Sequence, residues 1–296
     1  MTLADVYSPG RFGLSFELFP PKTEAGDRAL AQNVAELMEF EPSYVTCTYG
    51  AGGSTRDKTL DVVQDVKRRF DCPVASHLTC VGCSRDELRE FLRDAESRGI
   101  DYIVALRGDP PRGETEFRRV ADGLTYANEL VTLIRAEFPW FGIAVAGYPE
   151  THQEAASADA DLANLKRKVD AGADAVFTQL FFINRNFFDF RDRYTKAGIQ
   201  LPLVPGIMPI TSYARIKRIT AMCGAIFPED LAAKLESVKE DDAAQFEIGV
   251  EHAIAQCRAL IDADVPGLHF YALNKSQACE RILDALGFEM GAAECA

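Results

Sequence analysis

The sequence contains no apolar run close to the roughly 20 residues that a membrane-spanning helix needs, and it has no low-complexity tract. Its first residues, Met1 to Asp5, lack the basic and apolar regions of a secretory signal peptide. Basic residues are in the minority: 32 Lys and Arg stand against 45 Asp and Glu, which gives a formal net charge of −13. These absences argue against nucleic acid and membranes as partners and predict a cytoplasmic protein.

Metal-binding patterns are also absent from the sequence. The chain has four histidines, and none falls in a His-x-His or His-Glu-x-x-His pattern, so no metal site is predicted. The eight cysteines are scattered and lie mostly among apolar residues, which is typical of reduced thiols. Cys80 and Cys83 have the spacing of a redox pair or of half a zinc site. No second pair completes a zinc site, so chance spacing is the favoured interpretation and a disulfide under oxidising conditions is the alternative.

What the sequence does contain is a regular alternation of short apolar runs and amphipathic segments. The apolar runs predict strands at 13–19, 43–48, 73–79, 101–106, 142–147, 174–182, 202–206 and 267–273. Helical spacing predicts helices at 24–40, 56–70, 84–99, 116–137, 158–171, 184–197, 212–223, 228–236, 242–263 and 275–286. Eight strand–helix units with largely apolar strands predict an α/β fold, a (β/α)8 TIM barrel that forms a single domain over residues 1–296. A doubly wound open sheet is the alternative.

Polar residues collect at the predicted carboxyl ends of seven of these eight strands. In a (β/α)8 barrel this end carries the active site, so the pattern indicates a large polar ligand across the barrel mouth. In chain order the residues are Glu17, Thr46, Thr48, Tyr49, His77, Thr79, Arg107, Asp109, Tyr148, His152, Thr178, Gln179, His269, Tyr271 and Asn274.

Glu17 is the most unusual of these residues, because it lies inside an apolar strand that two prolines end. A carboxylate is expensive to bury unless it is paired, hydrogen-bonded or protonated. It is therefore either a structural carboxylate paired with a Lys or Arg, or a functional group. Alternation along the strand places Ser15 and Glu17 on the face that points into the barrel. At that position we expect a raised pKa, which suits general acid catalysis near neutral pH.

The glycine-rich loop at 49–55 follows the second strand and opens a helix. Backbone N–H groups in such a loop can approach an anion at the helix N-terminus. Thr55 stands where the third glycine of a dinucleotide fingerprint belongs, so the loop is not a Rossmann site. Taken alone, the loop is better explained as a tight turn between strand and helix.

Together, the polar motifs resemble those of the methylenetetrahydrofolate reductases, the flavoprotein family that makes methyltetrahydrofolate. They include Ser-Phe-Glu-Leu-Phe-Pro-Pro at 15–21 and His-Phe-Tyr-Ala-Leu-Asn at 269–274, and their order covers nearly the whole chain. The other segments are 45–51, 77–80, 105–109, 148–152, 161–173, 178–182 and 205–210.

The resemblance implies a (β/α)8 barrel that holds FAD at the strand ends. It makes Glu17 the general acid that promotes opening of the folate imidazolidine ring, and Asp109 the catalytic aspartate beside the flavin and the pterin. Implied substrate-binding residues are Glu17, Gln179, Ile219, Tyr271 and Lys275. Implied FAD-binding residues are Thr48, Tyr49, Ala51, His77, Arg107, Gly108, Asp109, Tyr148, His152, Asp161, Asn164, Arg167 and Lys168.

The implied reaction is a ping-pong reduction of 5,10-methylenetetrahydrofolate to 5-methyltetrahydrofolate, in which NADH or NADPH first reduces FAD. Two alternatives stay open: a flavin subunit that receives electrons from a partner protein, and a non-catalytic flavin- or folate-binding barrel. The family resemblance also implies a homo-oligomer, a dimer or a tetramer. The chain lacks the long C-terminal regulatory domain of eukaryotic members, so we expect no inhibition through such a domain.

Two positions depart from the family pattern. Ile219 stands where some bacterial members carry a phenylalanine near the ligand, so the packing of the substrate is expected to differ. Lys275 replaces the arginine that often follows the asparagine of the eighth strand, which exchanges a bidentate fork for a point charge.

Overall fold

The computed structural model describes residues 2–49, 56–109 and 119–290, with Arg56 and Asp57 described by their backbone only. Within these ranges nine strands form one sheet in which every pairing is parallel. The strands are β1 (Gly13–Leu18), β2 (Tyr44–Cys47), β3 (Val74–Thr79), β4 (Tyr102–Leu106), β5 (Gly142–Gly147), β6 (Ala175–Thr178), β7 (Leu203–Val204), β8 (Gly206–Ile207) and β9 (Gly267–Tyr271).

The two shortest strands, β7 and β8, are halves of one barrel strand that Pro205 interrupts. Proline has no N–H to donate, so the ladder breaks there, while the Pro205 carbonyl still accepts from the His269 N–H at 3.1 Å. The first half pairs with β6 and the second half pairs with β9. The sheet order β7-β6-β5-β4-β3-β2-β1-β9-β8 therefore closes on itself, and the predicted (β/α)8 barrel is confirmed.

Helices follow the strands around the barrel. They are α1 (Leu3–Val6), α2 (Glu24–Met38), α3 (Arg56–Phe70), α4 (Arg85–Ser97), α5 (Ala127–Glu137), α6 (Ala158–Asp170), α7 (Asn184–Lys196), α8 (Tyr213–Cys223), α9 (Glu229–Ser237), α10 (Asp242–Ile261) and α11 (Gln277–Leu286). None of these described helices is both long and apolar enough to cross a membrane.

Two predicted elements have the wrong bounds. Of the helix predicted at 116–137, residues 116–118 lie outside the described ranges; in the described part the helix begins at Ala127, because the Glu129 carboxylate accepts from the N–H groups of Thr125 and Tyr126 and fixes the first turn there. The strand predicted at 174–182 ends at Thr178. Beyond it the Gln179 side chain accepts from the Leu180 N–H, so the backbone leaves the ladder.

The barrel interior holds a separate apolar cluster below the polar strand ends. It includes Tyr44, Tyr102 and Phe177 from the strands, together with Leu3 and Val6 of α1. The sequence patterns did not predict α1, which closes the amino-terminal end of the barrel. Side chains on the opposite faces of the strands pack against the surrounding helices in a larger core that contains Leu14, Phe16 and Leu18. This confirms the predicted alternation along β1.

Candidate active site at the carboxyl ends of the strands

Glu17 lies inside the barrel mouth, with 7% of its surface exposed. Two histidines from other strands contact the same carboxylate oxygen: His77 Nε2 is 3.1 Å from Glu17 Oε2, and His269 Nε2 is 3.4 Å from it. The partners are therefore imidazoles and not the Lys or Arg expected of a structural carboxylate. Among the described residues no hydrogen bond reaches Oε1, the second oxygen of the carboxylate.

The pKa of the Glu17 carboxyl lies below its ordinary value, and the expectation of a raised pKa was wrong. Burial raises this pKa, but the positive charge of His77 and the hydrogen bonds from His269 and His77 outweigh burial and bring the pKa to about 2. Alternation along β1 predicted the position of Glu17. It gave no information on the two imidazoles, which reach it from β3 and β9.

Two buried hydroxyl groups beside Glu17 have no hydrogen-bond partner among the residues that the structure describes. They are Thr46 Oγ1 and Thr79 Oγ1. Thr46 pairs in register with Glu17, and Thr79 is the last residue of β3. Because an unsatisfied buried hydroxyl is costly, its presence at a strand end indicates that a polar ligand completes the site.

A cavity of about 460 Å³ opens at the ends of β4 and β5 and against α6. Of the residues predicted to bind FAD, those that line it are Arg107, Tyr148, His152, Asp161, Asn164, Arg167 and Lys168. The structure thus places seven predicted residues around one space, although they lie in three separate segments of the sequence.

The chemistry of this cavity suits an anionic, aromatic ligand. Burial lowers the pKa of the Lys168 ammonium to about 8, against the opposing charge of Asp161. The Lys168 ammonium donates to the Ala146 carbonyl and lies 5.8 Å from the centre of the Tyr148 ring. Arg107 and Arg167 add two guanidinium groups to the lining. Three cations and flat aromatic surfaces fit the diphosphate and rings of a dinucleotide such as FAD.

Other predicted FAD-binding residues lie outside this cavity. Thr48 follows β2, and its N–H donates to the Leu18 carbonyl at 2.9 Å. The Tyr49 ring packs edge-on against Phe91 of α4, at 5.9 Å between ring centres. Gly108 has φ +87° and no room for a Cβ beside Val81 and Thr79. His77 contacts Glu17, as described above.

Two further predicted FAD-binding residues, Asp109 and Ala51, lie at the edge of the described ranges or outside them. Asp109 is exposed at the barrel rim and adjoins residues outside the described ranges. Ala51 and the rest of the loop 50–55 lie outside the described residues, so the predicted anion-binding turn has no structural description.

The predicted substrate-binding residues occupy the other side of the mouth. The Tyr271 hydroxyl donates to the Thr178 carbonyl at 2.7 Å, directly before Gln179. Ile219 of α8 packs against the apolar cluster of α8, α9 and the β6–α7 connection. Lys275 is exposed in a second cavity, of about 530 Å³, which Arg215 of α8 also lines. Tyr271 and Glu17 thus lie on the paired strands β9 and β1, while Gln179 follows β6, one barrel strand away from β9, and Lys275 stands apart from all three.

Several residues of the site had no assigned role in the sequence analysis. Ser15 and His269 were recognised only as polar or inward-facing, although each lies two residues before a predicted site residue on the same strand face. Glu154 binds the Arg107 guanidinium at 2.7 Å inside the cavity. Tyr126 and Asn128 also line this cavity. No motif marks these three residues: Glu154 lies in an irregular segment after β5, and Tyr126 and Asn128 lie at the start of α5.

The sequence matches a family profile described as Methylenetetrahydrofolate reductase over residues 2–287. The 5,10-methylenetetrahydrofolate reductase of Escherichia coli (strain K12) is 38% identical over 290 residues, which cover 98% of this chain and 95% of that protein. Methylenetetrahydrofolate reductase (NADH) 1 of Arabidopsis thaliana is 38% identical over 295 residues, which cover 96% of this chain and 50% of that protein. The chain thus spans about half the length of this plant relative.

Among solved structures, the barrel is similar to an uncharacterized protein from Clostridium thermocellum that binds two copies of 5-methyl-5,6,7,8-tetrahydrofolic acid. The TM-score is 0.63 over 96% of this chain and 97% of that one, at 13% sequence identity. At this identity the likeness supports the fold alone.

Proposed function

The chain belongs to the methylenetetrahydrofolate reductase family, and on that premise we propose that it reduces 5,10-methylenetetrahydrofolate to 5-methyltetrahydrofolate with electrons from NADH or NADPH. The proposal includes FAD as the resident cofactor and a ping-pong order of the two half-reactions. The NADH named for the plant relatives supports a nicotinamide as the electron donor. The seven predicted residues around the 460 Å³ cavity support the dinucleotide cofactor.

The observation that carries the proposal is the arrangement at Glu17. One carboxylate oxygen is held by two imidazoles, and the other has no partner among the described residues. A group that must pass a proton to a folate nitrogen needs one such unpartnered oxygen and a fixed orientation. We assign Oε1 of Glu17 to this proton transfer.

The low pKa of Glu17 is compatible with that role if the proton belongs to the whole cluster of Glu17, His77 and His269. Interacting groups share their protons, so we assign the proton to His77, whose positive charge lowers the pKa of Glu17, while the carboxylate is ionised. A bound folate would cover the carboxylate and remove water from it, which disfavours the charged form. The proton then moves to Glu17, where Oε1 can donate it as the imidazolidine ring opens.

FAD would be held chiefly by the cations of the 460 Å³ cavity. Arg107, Arg167 and Lys168 line this cavity and would hold its diphosphate and ribityl oxygens, and Tyr148 would offer an aromatic face. When bound, FAD supplies hydride transfer between the nicotinamide and the folate. The Arg107 guanidinium is already held by Glu154, so it is oriented before the anion arrives.

The folate would lie across the ends of β6 and β9, where the Tyr271 hydroxyl reaches the carbonyl of Thr178, the residue before Gln179. Gln179 offers an amide to the pterin, and Ile219 offers apolar surface on α8 nearby. Lys275 and Arg215 line the 530 Å³ cavity, and neither forms an ion pair with a described residue. We assign these two cations to the carboxylates of the glutamate tail. We also place Asp109 beside the pterin, at the exposed rim of the mouth.

Rapid mixing of the purified protein with each nicotinamide, followed by methylenetetrahydrofolate, tests the proposal. We expect a yellow protein whose flavin absorbance at about 450 nm is bleached by NADH or NADPH and restored by the folate. Menadione serves as a control acceptor, since it reports flavin reduction without folate. A protein that takes up no FAD and oxidises neither nicotinamide with menadione would contradict the proposal. Flavin reduction that requires an added partner protein would favour the partner-fed alternative.

A further inference from the structure

A chain of buried polar side chains continues below Glu17 along the inside of the barrel. Ser15 and Tyr44 are fully buried, His269 is 1% exposed and Tyr7 is 6% exposed. The proposed reaction uses none of Ser15, Tyr44 and Tyr7. Buried polar groups in an otherwise apolar interior call for a physical explanation, because apolar residues of similar shape would fill the space without the need for partners.

The members of this chain contact one another in sequence. Ser15 Oγ lies 2.9 Å from His269 Nδ1, and the hydroxyl groups of Tyr7 and Tyr44 lie 2.6 Å apart. Burial raises the pKa of both tyrosine hydroxyls, and an interaction with Ser15 opposes that rise. The strand register explains the meeting, since Ser15 pairs with Tyr44 on β2 and with His269 on β9.

Aromatic packing fixes the rings of the chain. The Phe177 ring stacks on His269 at 5.0 Å and 16°, and its plane lies 15° from that of Tyr44 at 6.1 Å. Tyr271 meets the imidazole of His269 edge-on at 5.3 Å. Held on these sides, the imidazole keeps Nδ1 towards Ser15 and Nε2 towards Glu17.

The chemistry of each group decides which side chain donates and which accepts along this row of buried polar groups. An ionised carboxylate only accepts hydrogen bonds, so His269 Nε2 must carry a hydrogen. In the neutral imidazole Nδ1 then accepts from the Ser15 hydroxyl. Burial raises the pKa of Tyr7 and Tyr44, so both hydroxyls keep their hydrogens, and the Ser15 oxygen is free to accept from one of them. In these roles Ser15 and His269 both donate towards Glu17.

We propose that Ser15 and Tyr44 are positioning residues for the proton transfer at Glu17. They hold His269 as the neutral Nε2–H tautomer that donates to the carboxylate, and they thereby set the pH range in which Glu17 is protonated. The proposal rests on the proposed function, in which Glu17 is the general acid.

These buried side chains act by holding the His269 imidazole, because among the described residues they form no route for protons to solvent. Tyr7 ends the chain at the closed bottom of the barrel, next to Val6 of α1 in the interior cluster. At its upper end, the other titratable groups that face Glu17 are His77 from β3 and Tyr271 from β9, whereas Cys47 of β2 lies on the opposite face of the sheet, in the core with Leu18. Among the described residues, His269 is the one side chain that contacts both Glu17 and Ser15.

The first test is the pH profile of the folate half-reaction in Ser15→Ala and Tyr44→Phe. Without the chain, Glu17 receives a weaker hydrogen bond and holds its proton at higher pH. We expect the alkaline limb to move up by about one pH unit in Ser15→Ala and by about half a unit in Tyr44→Phe. Reduction of the flavin by NADH should keep its wild-type pH profile. The matched control is Tyr194→Phe, which removes a buried hydroxyl that donates to the Leu201 carbonyl at 2.9 Å, outside the barrel.

The second test reads the tautomer directly and does not depend on activity. Long-range ¹H–¹⁵N spectra of the four histidines, assigned by single substitutions, report which ring nitrogen carries the hydrogen. For wild-type His269 at pH 8 we expect the neutral Nε2–H form, and in Ser15→Ala a mixture with the Nδ1–H form. A wild-type His269 in the Nδ1–H form or as an imidazolium would overturn the proposal, even if neither variant folds.

The two tests separate this proposal from the proposed function. If the enzyme reduces folate but the alkaline limb of its pH profile stays at the wild-type pH in both variants, the positioning role alone is overturned. A wild-type protein that does not reduce folate would overturn the proposed function and this role with it. In that case, the spectra would still show whether Ser15 selects the tautomer of His269.

Discussion

At the scale of single residues, the protonation of Lys168 makes the charge of the predicted FAD cavity depend on pH. Burial lowers its pKa to about 8, and a bound diphosphate would favour the charged ammonium. The affinity of the protein for FAD should therefore be constant below about pH 8 and fall as the pH rises above it. Titration of the apoprotein with FAD between pH 7 and 9.5, followed by flavin fluorescence, measures this dependence.

Lys168→Met should abolish the loss of FAD affinity above about pH 8 and weaken FAD binding at pH 7 by roughly tenfold or more. The matched control is Lys166→Met, since Lys166 lies on the same helix and pairs with Asp170 at 2.8 Å away from the cavity. This control should keep both the affinity and its loss above pH 8. An unchanged pH dependence in Lys168→Met would show that another group titrates.

How far the site could be predicted differs from residue to residue. The inward position of Glu17 followed from alternation along a single strand, which is a local property. The direction of its pKa shift depends on His77 and His269, which lie on strands far away in the sequence, and local patterns cannot show that their imidazoles meet one oxygen. The partner of Arg107, Glu154, lies in a segment without periodicity and could not be predicted either.

At the scale of secondary-structure elements, the close approach of α10 to the barrel depends on one glycine. A Cβ at Gly249 would lie 1.9 Å from the Ile210 carbonyl oxygen, and backbone atoms have little freedom to move aside. Gly249→Ala should lower the free energy of unfolding by about 3 kcal/mol, as measured by urea denaturation. A change below about 1 kcal/mol would show that α10 can shift.

The control for this prediction is a helical glycine with more room. A Cβ at Gly26 in α2 would meet Pro21 Cβ at 3.1 Å, and the first turn of the helix can adjust. Gly26→Ala should change the free energy of unfolding by less than about 1 kcal/mol, because the gain in helix propensity offsets the tighter contact.

Element bounds were predictable where the sequence carries a physical signal. The Ser84 capping box fixes the start of α4, and α3 was predicted at its observed bounds from one apolar face. The start of α5 was missed because the side chain of Glu129, inside the helix, decides it. The interruption at Pro205 was missed because proline at a strand end and proline within a strand look alike in sequence.

At the scale of the whole molecule, α1 closes the bottom of the barrel and supports the interior cluster. Leu3 is fully buried there, although its helix has only four residues. Leu3→Ala should lower the free energy of unfolding by about 2–4 kcal/mol, the usual range for a buried leucine. The control is Met222→Ala on α8, where the side chain is 75% exposed and less than about 0.5 kcal/mol is expected.

The barrel itself was predictable because eight strand–helix units leave few other ways to bury strands that are apolar on both faces. The short α1 was not, since four residues carry too little periodicity to distinguish a helix.

The predicted dimer or tetramer stays a prediction, to be measured by sedimentation of the purified protein.

The central claim, that Glu17 is the proton donor in folate reduction, is tested most directly by Glu17→Gln in rapid-mixing experiments. The amide keeps the shape of the side chain but cannot pass on a proton. Reduction of the bound flavin by NADH should proceed at close to the wild-type rate, and reoxidation by methylenetetrahydrofolate should slow by at least about a hundredfold. Reoxidation by folate at the wild-type rate in this variant would contradict the account.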